Sequence, residues 1–360
     1  MNSRIFLLLI SVFCISSVNA VSIKGLYDAE INLPVSQSEA KMLNEAFGLA
    51  AEEVLIKVSG DKKAITGDLL KEAKKKASTW VAQHSVSSLS DLMASEDGLV
   101  PGKQIKVAFY QESIDGFLSQ NSLPVWGGNR PSVLIWLANE NNGVRTLSGS
   151  RAPSTVLREF ALSTSKLGVP IYAPLLDDVD QKSISASDVW GFFEDSITNA
   201  SRRYQTDAVA ALRVSSYAGH IGGSLLVLLK NGESERFVLN GDTTTEIIEQ
   251  AGINLAKVFS SRYASVRNNA AASKLSVQVA GIKNYSAMNK VQSYLESISV
   301  VRDVALVEVN GEKVEFSVEI DGDKQKLFNS ISLSQLLINA PLNALDPDAN
   351  RVASYQYSGG

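Results

Sequence analysis

Ser132-Val133-Leu134-Ile135-Trp136-Leu137-Ala138 is an apolar run that a single serine opens and no polar residue interrupts. A strand with one wet face alternates apolar and polar residues, whereas a strand covered on both faces does not. The run therefore predicts a central strand in a sheet packed on both sides. Downstream, Pro153 opens a helix with Val156, Leu157 and Phe160 on one side and Gly168 at its end. Ile171 to Leu176 predicts another short strand, and Val189, Trp190, Phe193, Ile197 and Ala200 draw a helical stripe. Strand, helix and strand in this order require a parallel crossover, so the fold class is α/β.

An antiparallel addition to that sheet is expected over Ala208 to Val214, Ser224 to Leu229 and Arg236 to Leu239, with Asn231-Gly232 in hairpin position. Thr243-Thr244-Thr245-Glu246 has the spacing of a capping box. A long amphipathic helix follows through Ile247, Ile248, Ala251, Leu255, Val258 and Phe259.

Upstream, Leu123-Pro124-Val125-Trp126-Gly127-Gly128-Asn129-Arg130-Pro131 is punctuated by prolines and glycines and reads as a rigid connector. Ahead of it lies an α+β unit. Ile23 to Leu33 predicts a strand, and Ser36-Gln37-Ser38-Glu39 has capping-box spacing. Ala40, Leu43, Phe47, Ala50, Val54 and Val58 stripe a helix that Gly60 ends. Lys71 to Lys76 lies on a second, solvated helix with no aromatic interleaved to suggest nucleic acid. Trp80 to Leu89 and Gln104 to Phe109 predict a hairpin whose turn holds Pro101-Gly102, and Ile114, Phe117 and Leu118 a short helix.

Beyond Ser265 a third unit is expected. Leu275, Val277 and Val279 alternate, and Met288, Val291, Leu295 and Ile298 keep helical spacing. Asp303 to Val309 and Lys313 to Ile320 then flank Asn310-Gly311, and a helix is expected over Asp323 to Ile331. That order matches most of a ferredoxin-like split βαβ unit. The resulting division is a leader over 1–20, domains over 21–126, 127–264 and 274–340, a linker over 265–273 and a loosely ordered tail over 341–360.

Met1 to Ala20 reads as a cleaved secretory signal: a positive start at Arg4, an apolar stretch from Ile5 to Ile15 and the small-residue exit Val18-Asn19-Ala20. Cys14 follows Phe13, where a lipid-modification site needs a small residue, so no lipid anchor and no transmembrane segment are expected in the mature chain. Cys14 is also the one cysteine, so the mature protein has no disulfide or thiolate site available. Hydrophobic residues make up 45% and charged residues 20%, an ordinary globular balance. Without Arg4 the chain holds 33 basic and 38 acidic side chains, and this mildly acidic surface gives no electrostatic case for nucleic acid.

Signals of chemistry are sparse. His84 and His220 are the only histidines, and they fall in different units. Ser224 could complete a triad with His220, but the G-x-S-x-G turn is missing. Gly219-His220-Ile221-Gly222-Gly223 matches neither phosphate-binding fingerprint and reads as a hairpin loop. Asp177, Asp178 and Asp180 follow a predicted strand, where oxygen ligands for a hard cation could converge or where carboxylates could cap a turn. Arg202-Arg203-Tyr204 could meet an acidic ligand or simply complement a helix dipole. Trp126, Arg130, Pro131, Trp136 and Trp190 are structural or interdomain anchors in this reading.

Leu26-Tyr27-Asp28-Ala29-Glu30, Val58-Ser59-Gly60-Asp61, Leu123 to Gly127 with Arg130-Pro131, Trp136-Leu137-Ala138, Pro174 to Asp177 and Trp190-Gly191 together resemble the exported bacterial family catalogued as domain of unknown function 2066. The resemblance spans roughly residues 23 to 265 and implies no activity, so it transfers no catalytic residue. The sequence favours a periplasmic binding or scaffolding protein of the cell envelope with a protein partner and no cofactor. The alternative is a periplasmic hydrolase or metal-dependent enzyme built on Asp177, Asp178 and Asp180 or on His220.

Overall fold

The computed structural model describes residues 25–35, 38–95, 98–217, 220–266, 272–340 and 352–359. The leader over 1–20 with Cys14, residues 267–271 of the expected linker, and residues 341–351 of the tail lie outside the described residues. The chain is a mixed α/β protein whose strands form four sheets among those residues.

The first unit contains β1 (Asp28–Pro34), α1 (Glu39–Ser59), α2 (Gly67–Trp80), β2 (Val81–Ser95), β3 (Gly98–Phe109), α3 (Gln111–Gln120) and the short β4 (Pro124–Val125). Its antiparallel sheet has the order β1-β3-β2, and Ile31, Ile105 and Val107 pack against Ala50, Val54 and Val58 of α1. Gly60 ends α1 in the left-handed conformation, as the sequence suggested, at φ 66. Ser38 is the N-cap and its side chain makes no capping bond; Ser36, the serine of the expected capping box, lies outside the described residues. Pro101-Gly102 is not a turn. Both residues lie inside β3, and the strand reversal falls between Ser95 and Gly98. A Cβ at Gly102 would stand 2.8 Å from Leu89 and Met93, so the glycine lets those two side chains close over the ribbon.

The central unit contains β5 (Val133–Asn141), β6 (Val144–Ser148), α4 (Thr155–Lys166), β7 (Ile171–Tyr172), α5 (Asp178–Ser183), α6 (Ala186–Gly191), α7 (Glu194–Ser201), β8 (Ala208–Tyr217), β9 (His220–Leu229), β10 (Ser234–Asn240), α8 (Thr244–Tyr263) and β11 (Ser265–Val266). Its sheet runs β10-β9-β8-β5-β6, with β5 parallel to both β8 and β7. The apolar run of β5 explains this architecture. Val133, Ile135 and Leu137 enter the core under α4 and α8, while Leu134, Trp136 and Ala138 enter the core under α6 and α7. The helical stripe expected from Val189 to Ala200 is broken instead, because Phe192 takes a left-handed conformation at φ 55 and leaves Phe193 exposed. Gly219 lies outside the described residues, and His220 to Gly223 belong to β9 rather than to a loop.

The third unit contains β12 (Ser273–Ala280), α9 (Tyr285–Glu296), β13 (Val301–Asn310), β14 (Lys313–Ile320), α10 (Lys324–Ser332), β15 (Leu337–Asn339) and β16 (Val352–Tyr357). Strand, helix, strand, strand and helix come in the anticipated order and give β13-β14-β12. The sheet then departs from a ferredoxin-like unit. β16 inserts parallel to β12, and β15, which follows the second helix, lies outside it. The reading of the tail as loosely ordered is therefore corrected for Val352–Tyr357: the free edge of β12 supplies the backbone partners, and Tyr355 is buried in the core. The expected linker is corrected at its ends, since Ser265–Val266 pair with Pro124–Val125 and Ser273 opens β12.

Candidate functional site

The connector lies where all three units meet, and Arg130 is its centre. The side chain is fully buried and faces backbone carbonyls rather than a carboxylate. Its Nε donates to Gly127 O at 2.9 Å, Nη1 to Gly168 O at 2.9 Å and Leu167 O at 3.5 Å, and Nη2 to Lys57 O at 2.8 Å and Trp126 O at 2.6 Å. Lys57 closes the last turn of α1, and Leu167 and Gly168 follow the last turn of α4. Carbonyls at helix C-termini lack intrahelical partners and carry the negative end of the dipole. One guanidinium thus caps two helices from different units. Its face also lies over the Trp126 ring, 3.9 Å from the centroid. Burial pulls the Arg130 pKa down to about 9, which leaves the group charged at neutral pH.

Neighbouring contacts complete the junction. Trp126 N donates to Val58 O at 2.8 Å, and a Cβ on Gly60 would meet the Trp126 ring. On the third unit, Gly127 N donates to Ser299 Oγ at 2.7 Å, and Asn129 Nδ2 to Ser330 O at 3.0 Å. Pro131 is buried in the same turn of chain. Just beyond it Ser132 N and Oγ donate to Asp207 Oδ2 at 2.9 and 2.7 Å, latching the start of β5 to the start of β8.

The structure brings Asp177 and Asp180 together and engages both with protein groups. Asp177 caps α5, accepting from Asp180 N at 3.1 Å. Arg203 donates to both oxygens of Asp177, at 2.7 and 2.9 Å, and to Asp180 Oδ1 at 3.0 Å. Tyr204 OH donates to Asp180 Oδ2 at 2.5 Å and itself accepts from Leu175 N at 2.8 Å. Leu176, left-handed at φ 51, donates its N–H to the same Asp180 oxygen. Asp178 stays exposed on the first turn of α5. The arrangement is a clamp on a strained turn. The guanidinium of Arg203, together with the capping amide of Asp180, holds the Asp177 carboxyl well below the usual carboxylate range. Burial and the Asp180 bond push the Tyr204 phenol up to about 12. Among the described residues no group of three histidine, cysteine, aspartate or glutamate side chains is arranged to hold a metal ion.

His220 is exposed on β9, in a shallow depression it shares with Glu140 and Ser215. Ser215 Oγ donates to Glu140 Oε2 at 3.0 Å, and the His220 imidazole bonds to neither among the described residues. Ser224 lies four residues along the same strand, about 13 Å away at the rise of a β-strand, and its Oγ accepts from Arg213. His220 and Ser224 are therefore not brought together as nucleophile and base. Trp136 is a core residue whose Nε1 donates to Ser201 Oγ at 2.8 Å. Trp190 is half-buried under the Arg145 and Arg213 guanidinium groups, 4.5 and 5.7 Å from its ring centroid.

One surface feature escaped the sequence reading. β1 pairs with β3 only from Gly102 to Ala108, so the far ends of β2 and β3 continue as a two-stranded ribbon. It presents Leu92 at 59% and Leu99 at 71% exposure. Leu89 to Ala94, read Leu-Ser-Asp-Leu-Met-Ala, has no strand alternation to announce the ribbon, and its pairing shifts register between Ser88 and Leu92.

Comparison with known families matches residues 20–127 to a domain of unknown function, DUF8605. The resemblance to domain of unknown function 2066 is corrected by this match, which names a different family over a shorter span. Its motifs are ones that recur for conformational reasons: Val58-Ser59-Gly60 is a helix C-terminus, and Leu123 to Pro131 a Pro/Gly-punctuated connector. No curated protein matches the chain. Among solved structures the chain is similar to the C-terminal domain of LpoB from Salmonella enterica, at 16% identity over 32% of this chain and 86% of that one, with a TM-score of 0.21. An overlap that loose carries no functional argument.

Proposed function

We propose that this chain is an exported binding or scaffolding module of the bacterial cell envelope that acts by protein–protein recognition. The observation that carries the reading is the β2–β3 ribbon, a projecting element with large apolar side chains in solvent. An isolated two-stranded ribbon is marginally stable in water, and exposed apolar residues that project together mark interaction sites. Val35, 40% exposed, extends the patch beside Pro101, to whose carbonyl its N–H donates. The Arg130 junction supports the same reading, because it fixes the pose of the ribbon relative to the other two units. Export rests on the leader pattern of residues 1–20. Among the described residues no helix is long and apolar enough to cross a membrane. The enzyme alternative draws less support, since Asp177 and Asp180 are engaged by Arg203 and Tyr204, and among the described residues the His220 imidazole bonds neither to Ser215, whose Oγ donates to Glu140, nor to Ser224.

The test is crosslinking in intact cells followed by affinity recovery, with wild type beside Leu92→Asp and Leu99→Asp. A near-stoichiometric envelope protein recovered with wild type and lost with both variants is the expected result. Recovery of the same protein in equal amount with either variant, or of no partner with wild type, overturns the reading.

A further inference from the structure

Strand edges in this molecule differ in how they are protected. Unpaired edges recruit foreign strands, and native proteins blunt them with charge, proline, bulges or shortness. β1 carries Asp28, Glu30 and Pro34. β6 has five residues including Arg145, β10 carries Glu235 and Arg236, and β15 has three residues. β13 carries Arg302, Asp303 and Glu308. β2 is the exception. It is a fifteen-residue edge strand, and Val81-Ala82-Gln83-His84-Ser85-Val86-Ser87-Ser88-Leu89-Ser90 contains no lysine, arginine, acidic residue or proline. From Gln83 to Ser88 its pairing with β3 is unbroken.

The inner face of β2 is also left open. His84 and Val86 stand opposite Val107 and Ile105, which are 1% and 0% exposed, yet Val86 is 38% exposed and His84 lies in solvent. Phe47 of α1 reaches the His84 ring edge-on at 5.3 Å, so the covering helix ends at the margin of β2. The apolar layer stops one strand short of the edge of the sheet.

We infer that this edge pairs with the same edge of a second copy of the chain. Residues 83–87 of two copies run antiparallel about a two-fold axis at Ser85 and join two three-stranded sheets into one of six strands. The two-fold sets His84 of each copy opposite Val86 of the other and seals the open margin. A charged partner strand would find no counter-charge along Val81 to Ser90, whereas this neutral sequence meets itself without like-charge repulsion. The pairing uses the edge beside α1 and not the apolar end of the ribbon, so it stands apart from the envelope partner proposed above.

Light scattering and sedimentation of the full chain test it. Wild type should run at twice the chain mass. Val86→Lys on the inner face and Ser85→Lys on the outer face should each weaken self-association at least tenfold by setting like charges across the axis, and Val238→Lys on β10 should leave it unchanged. In a Cys14→Ser background, Ser85→Cys should form a disulfide-linked pair under oxidation. Far-ultraviolet circular dichroism confirms that each variant is folded. If Val86→Lys unfolds, the outer-face Ser85→Lys decides. A wild type that stays at single-chain mass overturns the inference and leaves the edge to a strand from another protein. A folded Ser85→Lys that still pairs as wild type does also overturns it.

Discussion

Replacing Arg130 with alanine removes a buried donor that bonds to both the first and the central unit. Five guanidinium N–H groups meet carbonyls of Lys57, Trp126, Gly127, Leu167 and Gly168. At about 1.5 kcal/mol for each bond to a charged donor, these contacts and the stacking on Trp126 exceed ~7 kcal/mol. Taking the guanidinium out of water offsets several kcal/mol of that, so the net loss expected for Arg130→Ala is about 3–5 kcal/mol. Arg130→Lys keeps the charge but offers three donors from one point, which cannot serve two helix ends at once, so about half of the loss should remain. Urea titration followed by tryptophan fluorescence reads both, because Trp126 lies directly under the guanidinium. The first transition should move to lower urea in the order wild type, lysine, alanine. Alanine and wild-type curves that coincide within about 1 kcal/mol would refute the claim that carbonyl capping by Arg130 holds the units together.

Two further outcomes follow from particular bonds. Among the described residues Trp126 Nε1 is buried without a hydrogen-bond partner, whereas Trp136 Nε1 donates to Ser201, so Trp136→Phe should lose about 1–2 kcal/mol more than Trp126→Phe in the same titration; equal losses would contradict this assignment. Asp177 is held ionised by Arg203, so its contribution is complete above the ordinary aspartate value of about 3.9 and is lost as pH falls from there through its lower folded value. Amide exchange at Leu176 and Asp180 should therefore accelerate below about pH 4 in wild type and be fast already at neutral pH in Asp177→Asn; identical pH profiles would show that the clamp does not depend on that carboxylate.

Much of the architecture is legible in the residues because burial on two faces leaves a distinct pattern. β5 has no alternation to hide, and the stripe of α1 and the capping spacing before α8 state their elements directly: Thr243 Oγ1 accepts from Glu246 N at 3.2 Å. What escaped notice depends on distant partners. β6 is a short strand after Asn142-Gly143 whose pairing exists only because β5 extends to Asn141, and β16 is defined by the free edge of β12 more than by its own periodicity. Pro101-Gly102 suggested a turn because those residue types usually make one. Here Pro101 lies where β1 has ended, and Gly102 makes room for Leu89 and Met93.

The candidate groups behaved in the same way. Asp177, Asp180 and Arg203 each carried two readings in the sequence, a ligand site or local structure, and their meeting in space satisfies one with another. Spacing along the chain could not reveal this, because 26 residues separate Asp177 from Arg203. Arg130 is harder still to read, since its partners are carbonyls, which every residue has. That same fact makes it a sensitive lock. A carboxylate partner could follow a guanidinium through small movements of one unit, but carbonyls at the ends of α1 and α4 converge only when both helices are docked. Parting the units would return the guanidinium to water while leaving carbonyls of both helix ends without a donor, so the junction favours one docked pose over a continuum. The ribbon of the first unit then keeps a fixed bearing on the central unit, as the proposed scaffold with separate binding faces requires.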